Sequence, residues 1–177
     1  MKRVVLLCLC LMFGLQANCQ KQLKKISRGA AVTVVIFLSE DCPISQKYIP
    51  ALNTIQRKYH DHAVTIYAII PGKIKKSELA RFKEEYEISF PVTSDKKYRM
   101  VRLLSATTTP EAFMFDKNLD LKYRGAIDNW FYELGGYRQD VTEDYLIDGI
   151  DAILAGGDPE KPSTLAVGCL IQMPRKR

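Results

Sequence analysis

The stretch AVTVVIFLSEDCPIS, Ala31 through Ser45, decides the fold. Ala31 to Leu38 is an uncharged run of β-branched and aromatic residues, the composition of a strand buried on both faces of a parallel sheet. It breaks at Ser39-Glu40-Asp41-Cys42, and Pro43 then opens a helix, because proline lacks the N–H that would go unpaired at the first helical position. Ile44, Tyr48, Ala51, Leu52, Ile55 and Tyr59 recur at three- and four-residue steps along that helix, and Pro50 inside it is expected to kink it.

Working outward, Val64 to Ile70 reads as a second buried strand and Lys75 to Tyr86 as a charged helix. A short strand at Phe90 to Thr93 and a helix over Lys97 to Leu104 follow. Thr107-Thr108-Thr109-Pro110 leads into the strand Glu111 to Phe115, and the turn Asp116 to Asp120 returns as Leu121 to Ala126. A loop precedes the amphipathic helix Glu143 to Ala155, which shows Leu146, Ile150, Ile153 and Leu154 on one side and stops at Gly156-Gly157. Strands alternating with helices and ending in a hairpin and a helix specify an α/β sandwich with a central mixed sheet.

The 177 residues, 47% of them hydrophobic, make one domain with a sizeable core and leave no room for a second. Met1 to Cys19 has a basic start (Lys2, Arg3), an apolar run from Val4 to Leu15 and a polar end, which is the layout of a secretory signal peptide; the run is too short for the ~20 residues of a spanning helix. The expected division is a signal over 1–19, a domain over 20–157 and a C-terminal arm over 158–177. Cys19 is either removed with the signal or, as the lipid-modified first residue, the one membrane anchor; Leu15 and Asn18 fit the second pattern poorly. The net charge of +6, less the two charges of Lys2 and Arg3, is +4, and much of it lies at the chain ends. It reads as solvation rather than as a nucleic-acid or membrane-binding surface.

Of five cysteines, Cys8 and Cys10 fall in the apolar run, so the domain keeps Cys42 and Cys169. A disulfide between them would be either a staple or the product of a reactive thiol with a distant partner. As a staple closing about 127 residues it would contribute roughly 4 to 5 kcal/mol in the chain-entropy model. Cys42 stands where a helix N-terminus favours the thiolate, while Glu40 and Asp41 oppose a second negative charge.

From Ala31 to Ala155 the order of these features resembles the thioredoxin-like superfamily, in particular exported redoxins related to the alkyl hydroperoxide reductase and thiol-disulfide oxidoreductase families. Cys42-Pro43-Ile44-Ser45 stands in the place of C-x-x-C, Pro50 in that of the helix-kinking proline, and Thr109-Pro110 in that of the cis-proline. The segment Pro71 to Phe90 resembles the insertion that distinguishes redoxins from plain thioredoxins. The resemblance implies a three-layer α/β/α sandwich, a cis Thr109–Pro110 bond and a substrate-binding role for Pro43, Thr109 and Pro110. It also implies a Cys42–Cys169 pairing, since related redoxins end in a Gly-Cys-hydrophobic segment like Gly168-Cys169-Leu170.

Ser45 removes the usual resolving thiol: its hydroxyl can hydrogen-bond a thiolate but cannot attack a mixed disulfide. Two functions follow. One is a thiol-dependent oxidoreductase of the cell envelope, without cofactor or metal, in which Cys42 and Cys169 act on a protein disulfide, a small thiol or a peroxide. The other is a non-catalytic binding module that docks an envelope partner protein through the Cys42 region and the Trp130 loop. The peroxidase pattern is incomplete, with Val35 where its proline belongs and Arg124 as the nearest arginine. His60-Asp61-His62 reads as a solvated helix end before it reads as half a metal site.

Overall fold

The computed structural model describes residues 21–174, so the expected signal sequence and Cys19 lie outside the described residues. Residues 21–27 are helical (α1). The elements that follow are β1 (Val32–Phe37), α2 (Pro43–Lys58), β2 (Val64–Pro71), α3 (Lys76–Glu85), β3 (Val92–Asp95), α4 (Arg99–Leu104), β4 (Thr108–Thr109), β5 (Glu111–Phe115), β6 (Leu121–Gly125), β7 (Phe131–Glu133), β8 (Gly136–Tyr137), α5 (Tyr145–Leu154) and β9 (Cys169–Leu170). The central sheet has the order β3-β2-β1-β5-β6. β1 and β2 pair in parallel, as do β2 and β3, whereas β5 is antiparallel to both β1 and β6.

The alternation of side chains along a strand divides β1 between two cores. Val32, Val34 and Ile36 face one side with Leu52 of α2, Phe82 of α3 and Leu146 and Ile150 of α5. Val35 and Phe37 face the other with Leu23 and Ile26 of α1 and Met100 and Val101 of α4. The result is three layers, helices covering both faces of a mixed sheet. An uncharged β1 is what this arrangement requires, since neither face meets water.

The helix expected at Pro43 begins there and continues through Pro50 to Lys58. α4 is shorter than expected because the Asp95 carboxylate accepts hydrogen bonds from the N–H groups of Arg99, Met100 and Val101 (2.8, 2.8 and 3.0 Å), which sets its first turn. The stretch after β6, expected as a loop, contains the β7–β8 hairpin. The arm is fastened along β6: Arg124 N–H donates to the Pro162 carbonyl and Thr164 N–H to the Arg124 carbonyl, both at 3.1 Å. Gly125, at φ +146°, lets it approach, because a Cβ there would lie 2.4 Å from the Thr164 carbonyl oxygen.

Leu52 is fully buried at the centre of the α2 interface. Leu52→Ala is expected to lower unfolding free energy by about 2–5 kcal/mol in denaturant titration. A change within the range of surface substitutions would contradict the packing described.

Candidate functional site

The carboxyl end of β1 is closed by the turn Ser39 to Asp41, in which Cys42 N–H donates to the Ser39 carbonyl (3.2 Å). Cys42 is the N-cap of α2 in an extended conformation, Pro43 is the first helical residue, and the cysteine side chain is almost fully buried at 1% exposure. Ser45 is buried one turn along, and its hydroxyl oxygen accepts a hydrogen bond from Ser39 N–H (3.2 Å). That bond ties the turn to the helix.

Thr109 faces Cys42 from the other side. The Thr109–Pro110 peptide bond is cis, and the Cys42 thiol donates to the Thr109 carbonyl at 3.1 Å. β4 also pairs antiparallel with β9, Thr108 opposite Leu170 and Thr109 opposite Cys169. The Thr109 hydroxyl donates to the Cys169 carbonyl (3.3 Å), and Ile171 N–H donates to the Thr107 carbonyl (2.8 Å). Cys42 and Cys169, 127 positions apart in sequence, are therefore neighbours, both present as free thiols.

Their acidities diverge. Burial pushes the Cys42 thiol up, but hydrogen bonds from the Cys169 thiol, the Ser45 N–H and hydroxyl and the Cys169 N–H outweigh burial and hold it below the ordinary thiol value. Cys169 is pushed up to about 11 by burial first, then by donating to Cys42 and by repulsion from its charge. The site thus sets a Cys42 thiol of lowered pKa beside a Cys169 thiol of raised pKa. Glu40 is half-buried and Asp41 exposed, and neither carboxylate is among the influences on the sulfur, which are burial and the hydrogen bonds to it.

One residue of the site is absent from the sequence reading. Glu111, directly after Pro110, is 3% exposed; its carboxylate accepts from Thr107 N–H (2.8 Å) and Thr108 N–H (3.3 Å) and from the Arg124 guanidinium (2.8 Å). It fixes the backbone that carries Thr109. A lone carboxylate in the apolar strand E-A-F-M-F was the available signal, since a buried charge needs partners. Arg124, the nearest candidate for a peroxidase arginine, serves this carboxylate and stacks over Phe113.

The other singled-out residues stand apart. Trp130 packs edge-on against Tyr48 with ring centres 5.5 Å apart, and Asp128 accepts hydrogen bonds from the Tyr48 hydroxyl (2.5 Å) and Trp130 N–H (2.8 Å). This makes the Trp130 loop a packed part of the domain. His60 faces the Asp61 carboxylate (3.0 Å) in solvent, and no group of three or more metal-ligating side chains occurs among the described residues. No helix among them is long and apolar enough to cross a membrane.

Residues 11–124 match the model of the AhpC/TSA family. The chain belongs to that family. It is 27% identical over 103 residues to the thiol-disulfide oxidoreductase ResA of Bacillus cereus, a match covering 57% of this chain and 58% of that one. The chain spans about half the length of the curated relatives it matches. Among solved structures it is similar to a hypothetical protein from Sinorhizobium meliloti 1021, with a TM-score of 0.76, 23% identity and coverage of 85% of this chain and 84% of the other. It is also similar to a thioredoxin-like protein solved in its oxidized form, with a TM-score of 0.56, 19% identity and coverage of 73% and 81%. The fold is thioredoxin-like.

Because the hydrogen bonds to Cys42 favour its ionised form, its alkylation rate should rise with pH through a midpoint below that of an ordinary thiol. Ser45→Ala and Cys169→Ala should each move that midpoint upward, read by rate against pH or by ultraviolet thiolate absorbance. A midpoint unchanged in both variants would remove these donors from the account.

Proposed function

We propose that this chain is an exported thiol-dependent oxidoreductase of the redoxin type, in which Cys42 attacks a protein disulfide and Cys169 resolves the product. The observation that carries this reading is the juxtaposition of an acidified Cys42 thiol with a protonated Cys169 thiol across β4 and β9. The basic start and short apolar run of residues 1–19 support export to the cell envelope, and Cys19 offers a lipid anchor if retained. No cofactor is needed.

The Cys42 thiolate attacks one sulfur of the substrate disulfide; a Cys42–substrate mixed disulfide forms, and the other substrate sulfur leaves as a thiolate that takes a proton. Cys169, once deprotonated, attacks the Cys42 sulfur. The Cys42–Cys169 disulfide forms and the second substrate thiol is released. Two electrons pass from the cysteine pair to the substrate, and an external thiol or dithiol returns them. Ser45 stabilises the Cys42 thiolate by hydrogen bonding, while Pro43, Thr109 and Pro110 shape the wall against which an extended substrate lies.

Resolution is self-timed. Burial is the largest influence that keeps Cys169 protonated and persists, but the two that come from Cys42 vanish when that sulfur enters a mixed disulfide. The same chemistry reduces a small disulfide and leaves a small thiol on Cys42 in the absence of Cys169.

The test is reduction of insulin with a dithiol donor, combined with mass analysis of glutathione adducts. Cys42→Ser should bring the rate to background with the fold intact. Cys169→Ser should slow turnover and accumulate an adduct on Cys42, and Ser45→Cys should restore turnover through a local dithiol. Absence of an adduct at Cys42 in the wild type and all variants, even after prior reduction, would leave the binding module as the function.

A further inference from the structure

The arm is fastened at two places of unequal strength. Along β6, Thr164 is held by its backbone and by its hydroxyl, which accepts from Ala126 N–H (3.0 Å) and pairs with the Tyr123 hydroxyl (2.5 Å). At β4 the fastening is two residues long, and Leu170 leaves 77% of its surface in solvent. Between them, residues 165–168 form no regular structure, with Leu165 86% exposed. Beyond the anchor, Val167, Cys169 and Ile171 pack against the cores only as partly buried side chains, while Leu165 and Leu170 face solvent, and a segment held in this way opens before the fully buried elements do.

What β9 covers is the site. Cys42 is 1% exposed with the arm in place, too little for an approaching protein disulfide, and β9 lies on the backbone edge of β4 beside it. Glu111 occupies the N–H groups of Thr107 and Thr108, so that the Thr107 carbonyl meets β9. Once uncovered, that edge can accept an N–H from another extended chain.

We infer that β9 is a strap that closes the Cys42 site at rest, and that it and an extended peptide of the substrate alternate on the edge of β4. The inference rests on the reading of Cys42 as the reactive thiol. The strap swings from the Thr164 anchor to admit the substrate; its return after the first exchange brings Cys169 to the mixed disulfide and displaces the substrate from the same edge. One movement therefore both resolves and expels.

Gly168 sets how closely the strap seats. A Cβ there would lie 2.1 Å from the Thr109 carbonyl oxygen and 3.1 Å from Pro110 Cδ, so an alanine cannot be accommodated without lifting β9 from β4. Ile171 offers an independent handle, since proline there deletes the N–H donated to the Thr107 carbonyl.

The experiment measures the labelling rate of Cys42 by a bulky maleimide in the reduced full chain, by mass of the Cys42 peptide, for wild type, Gly168→Ala and Ile171→Pro. Denaturant midpoints are measured alongside. Labelling tracks the population of the open form, and each variant should raise the rate about tenfold without a matching loss of global stability. Rates equal to wild type in the folded variants, or acceleration that only follows global destabilisation, would overturn the strap. If Gly168→Ala does not fold, Ile171→Pro decides alone. Faster labelling in variants of a protein that does not reduce insulin would keep the strap and reject the enzymatic reading.

Discussion

Thr109 binds the two cysteines into one site: its carbonyl accepts the Cys42 thiol and its hydroxyl donates to the Cys169 carbonyl. Cys42 depends on the β1–α2 turn and Cys169 on an arm beyond the last helix, so without a shared contact each would meet solvent separately. Thr109 makes that contact from a strand of two residues, which cannot hold itself in place by pairing. Its position depends on Glu111, whose buried carboxylate ties down the two preceding N–H groups and is neutralised by Arg124. A charge buried this deeply persists because all of its partners are present.

The proposed chemistry follows from an asymmetry between two side chains of the same type. Burial raises the Cys42 pKa, but hydrogen bonds from a helix start, a serine and a second cysteine outweigh it and hold the thiol below its ordinary value. Cys169 donates one and sits beside the resulting charge, and so keeps its proton. Neither property belongs to one residue alone. The serine in place of a second nearby thiol is consistent with this division, because it supplies a donor without supplying a competing nucleophile.

Much of the fold was legible because β1 and α2 carry strong periodic signals and lie next to each other in sequence. The uncharged run and Pro43 located the start of α2, and with it Cys42 and Ser45. What local pattern could not supply was the partner of Cys169: its strand is two residues long, and its place is set by Gly125 and Gly168, glycines that admit close backbone approach only in the folded molecule. Two cysteines left in the domain invite a pairing, and the resemblance to related redoxins favours Cys42 with Cys169; the structure brings the two together as free thiols. Glu111 carries only a faint sequence signal, a lone carboxylate at the head of an apolar strand, because a charged residue at a strand start is usually solvated and its partners come together only when β4 and β6 assemble around it. The β7–β8 hairpin reads as a loop in the sequence because its strands are too short to show alternation.

The central claim, that Cys42 and Cys169 are a functional pair, is tested most directly by treating the reduced protein with one equivalent of oxidised glutathione and mapping disulfides in a non-reducing digest. The account predicts that the peptides containing Cys42 and Cys169 are recovered joined to each other, with both glutathione halves released as free thiol. Glutathione retained on Cys42 beside a free Cys169 thiol would contradict it.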